Sequence, residues 1–159
     1  MTPRSAVFRT PARLFRVLAI AEAITWTILI AAIIARAVGA SAIVVTIGGG
    51  IHGFVFLAYA ATALLVAVNQ RWHPGVGALA VISAVVPYAT VPVDVWLHRS
   101  ERLRGDWRPE ATEDPRDRRW YDRAMRWFLR RPWVLAILLI TGIVALYVAL
   151  LLIGPPGGK

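Results

Sequence analysis

An all-α membrane bundle of four transmembrane helices plus one amphipathic interfacial helix is the fold class the sequence predicts, and three observations predict it. Hydrophobic residues make up 58 % of the 159-residue chain and charged residues 17 %, where a soluble domain has about a quarter charged. The charges are segregated: 17 of the 18 basic residues are arginine, and most lie in residues 1–16 or 98–131. Between Val17 and Leu97 the charged residues are Glu22, Arg36, Arg71 and Asp94 alone. A net charge of +9 raises the question of nucleic acid, but basic clusters flanking apolar stretches fit anionic lipid head groups and insertion orientation instead, so no nucleic-acid partner is expected. No cysteine is present, which excludes a disulfide framework and thiolate metal sites. The preference for arginine over lysine points to a GC-rich bacterial genome.

Residues 1–16 form a basic tail, and Thr10-Pro11 is a helix start, threonine capping and proline at the first helical position. The first span, 17–35, holds nine Val, Leu and Ile residues, worth together about −3 to −5 kcal/mol of insertion energy. An acidic residue near a helix centre costs about +2.5 to +3.5 kcal/mol, so the span tolerates Glu22. A cleaved signal peptide ending at Ala40-Ser41-Ala42 is the competing reading; the run is longer than a signal peptide's and carries a carboxylate. The second span opens in Gly48-Gly49-Gly50 with His52 in its first turns and ends near Asn69-Gln70. Its Gly49 and Gly53 form a small-residue packing pattern.

The third span, 76–97, contains Pro87 and Pro92, each lacking a backbone donor, so a kink is expected near its end. At helical spacing Ser83, Pro87, Thr90 and Asp94 share one face. Residues 98–131 hold 11 arginines and 7 acidic residues. Asp114-Pro115 reads there as a cap and helix start. The helix that follows alternates arginine with aromatics, and Trp120, Arg123, Trp127 and Arg130 are its expected lipid-interface anchors; a solvated linker helix is the plainer alternative. A fourth span runs over 133–153, and 154–159 read as a frayed tail. The organisation is thus a three-span unit (1–103), a polar connector (104–131) and a fourth helix with tail (132–159).

Three spans would put the two basic clusters on opposite sides of the membrane. An internal N-terminus then leaves six basic residues in the cytoplasm and an external one leaves twelve, so the loop 98–131 is expected in the cytoplasm of a bacterial cell with both termini outside.

Lipid offers a carboxylate or imidazole no partner, so Glu22, His52 and Asp94 are expected to meet in one intramembrane polar network. Three readings of that network are open: glue between helices, a proton- or ligand-responsive site with His52 titrating near neutrality, or a metal site. The last is disfavoured because His73 and His98 lie in turns away from His52.

Ala19 to Glu22, the run Gly49-Gly50-Ile51-His52-Gly53-Phe54-Val55-Phe56, and Pro87-Tyr88-Ala89-Thr90 followed by Asp94 and Arg99 resemble a bacterial family of small integral membrane proteins, domain-of-unknown-function family 3817 (YdzA-like). The resemblance covers about residues 11–103. Gly50 stands where the family has proline and Ala89 where it has glycine. It implies a three-span membrane unit and no established activity. The leading functional expectation is a non-enzymatic accessory or scaffold component, with a membrane-protein partner or a second copy of itself. The alternative is a small transporter or proton-responsive component using Glu22, His52 and Asp94. An intramembrane enzyme ranks last: there is no nucleophile–base pair, no H-E-x-x-H run and no phosphate loop, and no cofactor is implied.

Overall fold

The computed structural model describes residues 10–153; residues 1–9, with Arg4 and Arg9, and the tail 154–159 lie outside the described residues. Helix α1 runs Pro11–Ala37, started as expected by Thr10, whose hydroxyl accepts the amide of Arg13 at 3.2 Å. It thus begins six residues before the expected span and puts Glu22 near its midpoint. Gly39, at φ +107, turns the chain into α2, Ile43–Asn69. The two helices are antiparallel: Phe15 faces Tyr59, Thr25 faces His52, and Ala32 faces Gly48. Each has 27 residues and is long and apolar enough to cross a membrane, about 40 Å at 1.5 Å per residue against a hydrocarbon core of about 30 Å.

The distribution of side chains is inverted relative to a water-soluble protein. Ile20, Ile24, Ile34, Ile47 and Phe54 are exposed, whereas Glu22, Thr25, His52, Thr62, Thr90 and Asp94 are buried. Water would drive such apolar groups inward; lipid leaves them where they are and drives the polar groups together.

The expected third span is not one helix, which corrects the four-span architecture. Helix α3 (Pro74–Ile82) passes through a 3₁₀ turn at Ser83–Val85 and stops; after a turn containing Pro87, α4 (Thr90–Arg99) runs back. The ends of this hairpin meet, since the Trp72 indole donates to the Arg102 carbonyl at 2.7 Å. Its tip lies beside the middle of α1, where Trp26 Nε1 donates to the Ala84 carbonyl at 3.2 Å and Thr27 lies 3.3 Å from the Tyr88 hydroxyl. Three local causes produce the break. Ser83 turns its hydroxyl back onto the Ala80 carbonyl at 2.7 Å, Pro87 has no amide to continue a helix, and Tyr88 adopts φ +65. Ser83 and Pro87 therefore share no helix face with Thr90 and Asp94. Pro92 does not kink α4: it sits in the first turn, where its missing amide had no intrahelical partner.

The core under the hairpin comprises Phe15, Ala19, Tyr59, Ala63, Val66, Ala80, Ala84, Leu97 and Leu103. Beyond it come a 3₁₀ turn at Pro115–Arg118, α5 (Trp120–Arg130) and α6 (Pro132–Ile153), which packs beside α2 and α5. The Asp114-Pro115 cap thus starts a separate 3₁₀ turn and not α5, because Arg119 is extended.

The small-residue contact also differs from expectation. A Cβ on Gly48 would meet Ala32 Cβ at 3.2 Å, whereas one on Gly49 or Gly53 would meet nothing within 4 Å. Gly48→Leu should therefore wedge α1 from α2 and destabilise the protein by about 1–3 kcal/mol, while Gly49→Leu should be tolerated. Chemical unfolding in mixed micelles reads the difference.

Candidate functional site

Helix α1 carries the polar residues that join the other elements, and they form two seams instead of one network. On the α1–α4 seam the Thr90 hydroxyl lies 3.0 Å from both the Ala19 carbonyl and Glu22 Oε2, sharing its proton between them. One turn along α4, Asp94 Oδ2 accepts from Arg16 Nε at 3.0 Å. His98 Nδ1 is 3.2 Å from Asp94 Oδ1 but also 3.0 Å from Asp94's own carbonyl, which it meets with hydrogen-bond geometry. Glu22 Oε1 and Asp94 Oδ1 are buried without a hydrogen-bond partner.

On the α1–α2 seam, Thr25 donates to the Glu22 carbonyl at 2.9 Å and lies 3.1 Å from His52 Nδ1. With its proton so used, Thr25 accepts from the ring, which assigns the imidazole proton to Nδ1. Trp26 packs its ring 4.5 Å from the His52 ring and Phe56 lies at 6.2 Å. The expected trio is therefore only partly assembled. Thr25 links His52 to the backbone carbonyl of Glu22 and not to its carboxylate, and no hydrogen bond joins the side chains of Glu22, His52 and Asp94 to one another among the described residues. The physical reason is the hairpin, which returns Asp94 to the level of Arg16. Thr25, Trp26, Tyr59 and Arg16 were missed as partners. Arg16 was legible, because a helix starting at Thr10-Pro11 places it within α1 and not in a tail.

A third polar cluster, unexpected from the sequence, caps the C-terminal end of α2. Arg108 donates to the Val68 and Asn69 carbonyls at 2.8 and 2.7 Å, supplying partners to orphan helix-end groups. It also pairs with Asp117 and Asp122 at 2.9 and 3.2 Å. Buried Asp117 further accepts from Arg71 at 3.0 Å and from the Thr112 amide and hydroxyl at 2.8 and 2.7 Å. Asp114 holds Arg71 and Arg116. In α5 the residues turned inward are Asp122, Met125 and Arg126, while Trp120, Arg123, Trp127 and Arg130 are exposed. No group of three or more metal-ligating side chains occurs among the described residues.

Two long apolar helices with isoleucines outward and Glu22, His52 and Asp94 inward are the pattern of a helical membrane protein. Residues 12–99, more than half of the chain, match the family described as a domain of unknown function, DUF3817, and the chain belongs to that family. A curated Streptomyces coelicolor protein, whose name assigns it provisionally to the membrane, is 33 % identical over 105 residues. That alignment covers 65 % of this chain and 12 % of the relative, so the chain spans about an eighth of that protein's length. No solved structure matches the chain.

Two expectations follow. Thr90→Val should destabilise the hairpin by about 1–3 kcal/mol, since it strands a buried carboxylate oxygen. Arg16→Met should cost somewhat less, about 1–2 kcal/mol: it too strands a buried oxygen, Asp94 Oδ2, but the Arg16 side chain is 49 % exposed, so the pair is partly screened. Unfolding in micelles ranks them.

The second concerns acid. Hydrogen bonds from Thr112, and then from Arg71, hold the Asp117 carboxyl well below the usual carboxylate range, against burial that pushes it up. A carboxyl with a depressed folded pKa stabilises the fold fully above its unfolded value, about pH 4, and loses that contribution as pH falls below it. Amide exchange over residues 108–126 should therefore stay slow from neutral pH to about 4 and quicken below, beyond the intrinsic acid trend. Asp117→Asn should show fast exchange already at neutral pH.

Proposed function

We propose that the chain is a non-enzymatic accessory or scaffold component of a complex in the bacterial cell membrane, with α1, α2 and α6 crossing and the 74–99 hairpin re-entering from one side. The observation that carries this reading is where the buried polar groups go. Thr25 meets His52 across the helices, and Thr90, Tyr59 and Trp26 bond to backbone carbonyls of neighbouring elements, fixing helix against helix. Helix α6 supports it: Ile137, Ile140, Val144 and Val148 stay about half exposed along its length, an apolar surface for lipid or a partner helix.

The hairpin also bears on orientation. Residues 10–16, the turn 70–73 and residues 100–131 lie at one end of the α1–α2 pair, because Phe15 packs on Trp72 and Trp72 bonds Arg102. Among the described residues this end carries Arg13, Arg16, Arg71 and the eleven arginines of 98–131, and the other end carries Arg36. The positive-inside rule then places both clusters in the cytoplasm, in contrast to the sequence-based expectation of opposite sides. That disagreement came from counting the hairpin as a span.

A second reading, a proton-responsive or transport component, is favoured by Glu22 Oε1, a buried acceptor without a partner beside the tip of a broken helix. Purification in mild detergent separates the two. The scaffold reading expects a distinct membrane protein to co-purify, and recovery solely as a free monomer or homo-oligomer overturns it. The transport reading expects Glu22→Gln to abolish proton-dependent flux in proteoliposomes at unchanged protein level. For orientation, the cysteine-free chain permits Ser41→Cys, His73→Cys and Thr112→Cys. An impermeant thiol reagent added to intact cells should label position 41 and spare 73 and 112; labelling of 112 would reverse the orientation.

A further inference from the structure

A cavity of about 760 Å³ opens between the C-terminal half of α2 and α3, away from both α1 seams. Its apolar lining includes Leu64, Val68, Ala78, Val81 and Ile82, with Leu64 and Ile82 more than half exposed, so the groove opens sideways. Its polar lining includes Arg71, Arg116, Arg119 and Tyr121, with Asp122, whose carboxylate is paired with Arg108. The size lies within the range of small-molecule sites, about 300–1,000 Å³. From Pro74 at the rim to Ile82 at the deep end, α3 rises about 12 Å, comparable with one hydrocarbon leaflet of about 15 Å. An apolar slot of leaflet depth under an arginine rim is the shape of an amphiphile.

The charges at the rim decide the sign of its head group. The cluster of Arg71, Arg108, Arg116, Arg119 and Arg126 is met by Asp114, Asp117 and Asp122, so positive charge remains in excess. Arg71 and Arg108 are largely enclosed by those carboxylates; Arg116 also pairs with Asp114 but its side chain is 57 % exposed, and Arg119 is exposed at the same rim. Arg119 donates to the Tyr121 hydroxyl and lies 5.8 Å over its ring, which aligns a guanidinium at the rim for a phosphate.

We propose that this groove binds one anionic phospholipid of the cytoplasmic leaflet, its phosphate on Arg116 and Arg119 and one acyl chain along Val68, Val81 and Ile82. The proposal goes beyond the scaffold reading: the site needs only that the helices stand in a bilayer, and its leaflet rests on the orientation proposed above; a scaffold without a lipid site and a lipid site on a transporter are both distinguishable results.

The test is native mass spectrometry of the full, delipidated chain in non-ionic detergent, titrated with phosphatidylglycerol or phosphatidylcholine of identical acyl chains. Binding of phosphatidylglycerol should saturate at one per chain, about tenfold tighter than phosphatidylcholine, the order expected for arginines facing a phosphate in lipid surroundings. Arg116→Gln with Arg119→Gln should bring the two lipids level, and Ala78→Phe, which fills the groove, should weaken both. Arg104→Gln, an exposed arginine outside the groove, should change nothing. Excess inorganic phosphate should not compete. Equal binding of the two lipids by the wild type, or an Arg104→Gln loss as large as that of the rim variant, overturns the proposal. So does phosphate displacing the lipid, which would make the rim a free-anion site. Should the double variant fail to fold, Arg119→Gln alone reads the same contrast at smaller size.

Discussion

A helix that stops among apolar surroundings leaves carbonyl groups without helical partners, and the arrangement of the described residues is organised around the α3–α4 turn, where that happens. Between Ser83 and Ala89 the α3–α4 hairpin turns among apolar neighbours. Carbonyls near the turn are met by side chains from α1 and α2, Tyr59 reaching Ala80 at 3.0 Å and Trp26 reaching Ala84 at 3.2 Å, and by the hairpin's own Ser83, which folds back on Ala80. Unsatisfied, each such group costs several kcal/mol in lipid, more than the net gain of an ordinary hydrogen bond, about 1 kcal/mol. The hairpin is therefore possible because α1 and α2 carry donors at the right height, and those donors in turn fix the angle and depth at which it packs.

That dependence explains what was legible in the sequence. Thr10-Pro11 announced the start of α1 because a cap and a first-turn proline act locally. The inward orientation of Glu22, His52 and Asp94 was legible too, since it follows from the solvent alone. The reversal at 83–89 was not. A hydropathy pattern registers that a stretch is apolar, which is equally true of a crossing helix and of two half-length helices. Pro87 and Pro92 hinted at irregularity, yet Pro92 lies harmlessly in a first turn and Ser83, a residue with no helix-breaking reputation, closes α3. Reading this element as one continuous helix set the two basic clusters at opposite ends; with the hairpin, residues 13–16 and 98–131 share an end of the α1–α2 pair.

The polar connector's ion pairs were not legible for a different reason. Its composition, arginine alternating with aromatics and carboxylates, suits a helix floating among head groups. Which arginine meets which carboxylate is decided by proximity in three dimensions: Arg71 to Asp117 spans 46 positions and Arg108 to Asn69 spans 39. Periodicity carries no information at that range. The exposed Trp120 and Trp127 fit the interfacial pattern, but the opposite face of α5 is held by Asp122 and Arg126 against the end of α2 instead of by aromatic rings.

This cluster's contribution is more to register than to stability. Charge pairs removed from water recover in mutual attraction about what they lose in hydration, and Arg71 and Arg108 remain 27 % and 23 % exposed, so the balance is close to neutral. Geometry is where the pairs differ from an apolar contact. Arg108 has four acceptors in fixed directions, two of them carbonyls at the end of α2. A loop bound that way cannot slide along the helix end as greasy side chains could. It fixes the distance from Arg71 to the 3₁₀ turn that carries Arg116, and hence the width of the groove between α2 and α3. The polar cap at the end of α2 and the donors on α1 and α2 thus hold one hairpin from its two ends.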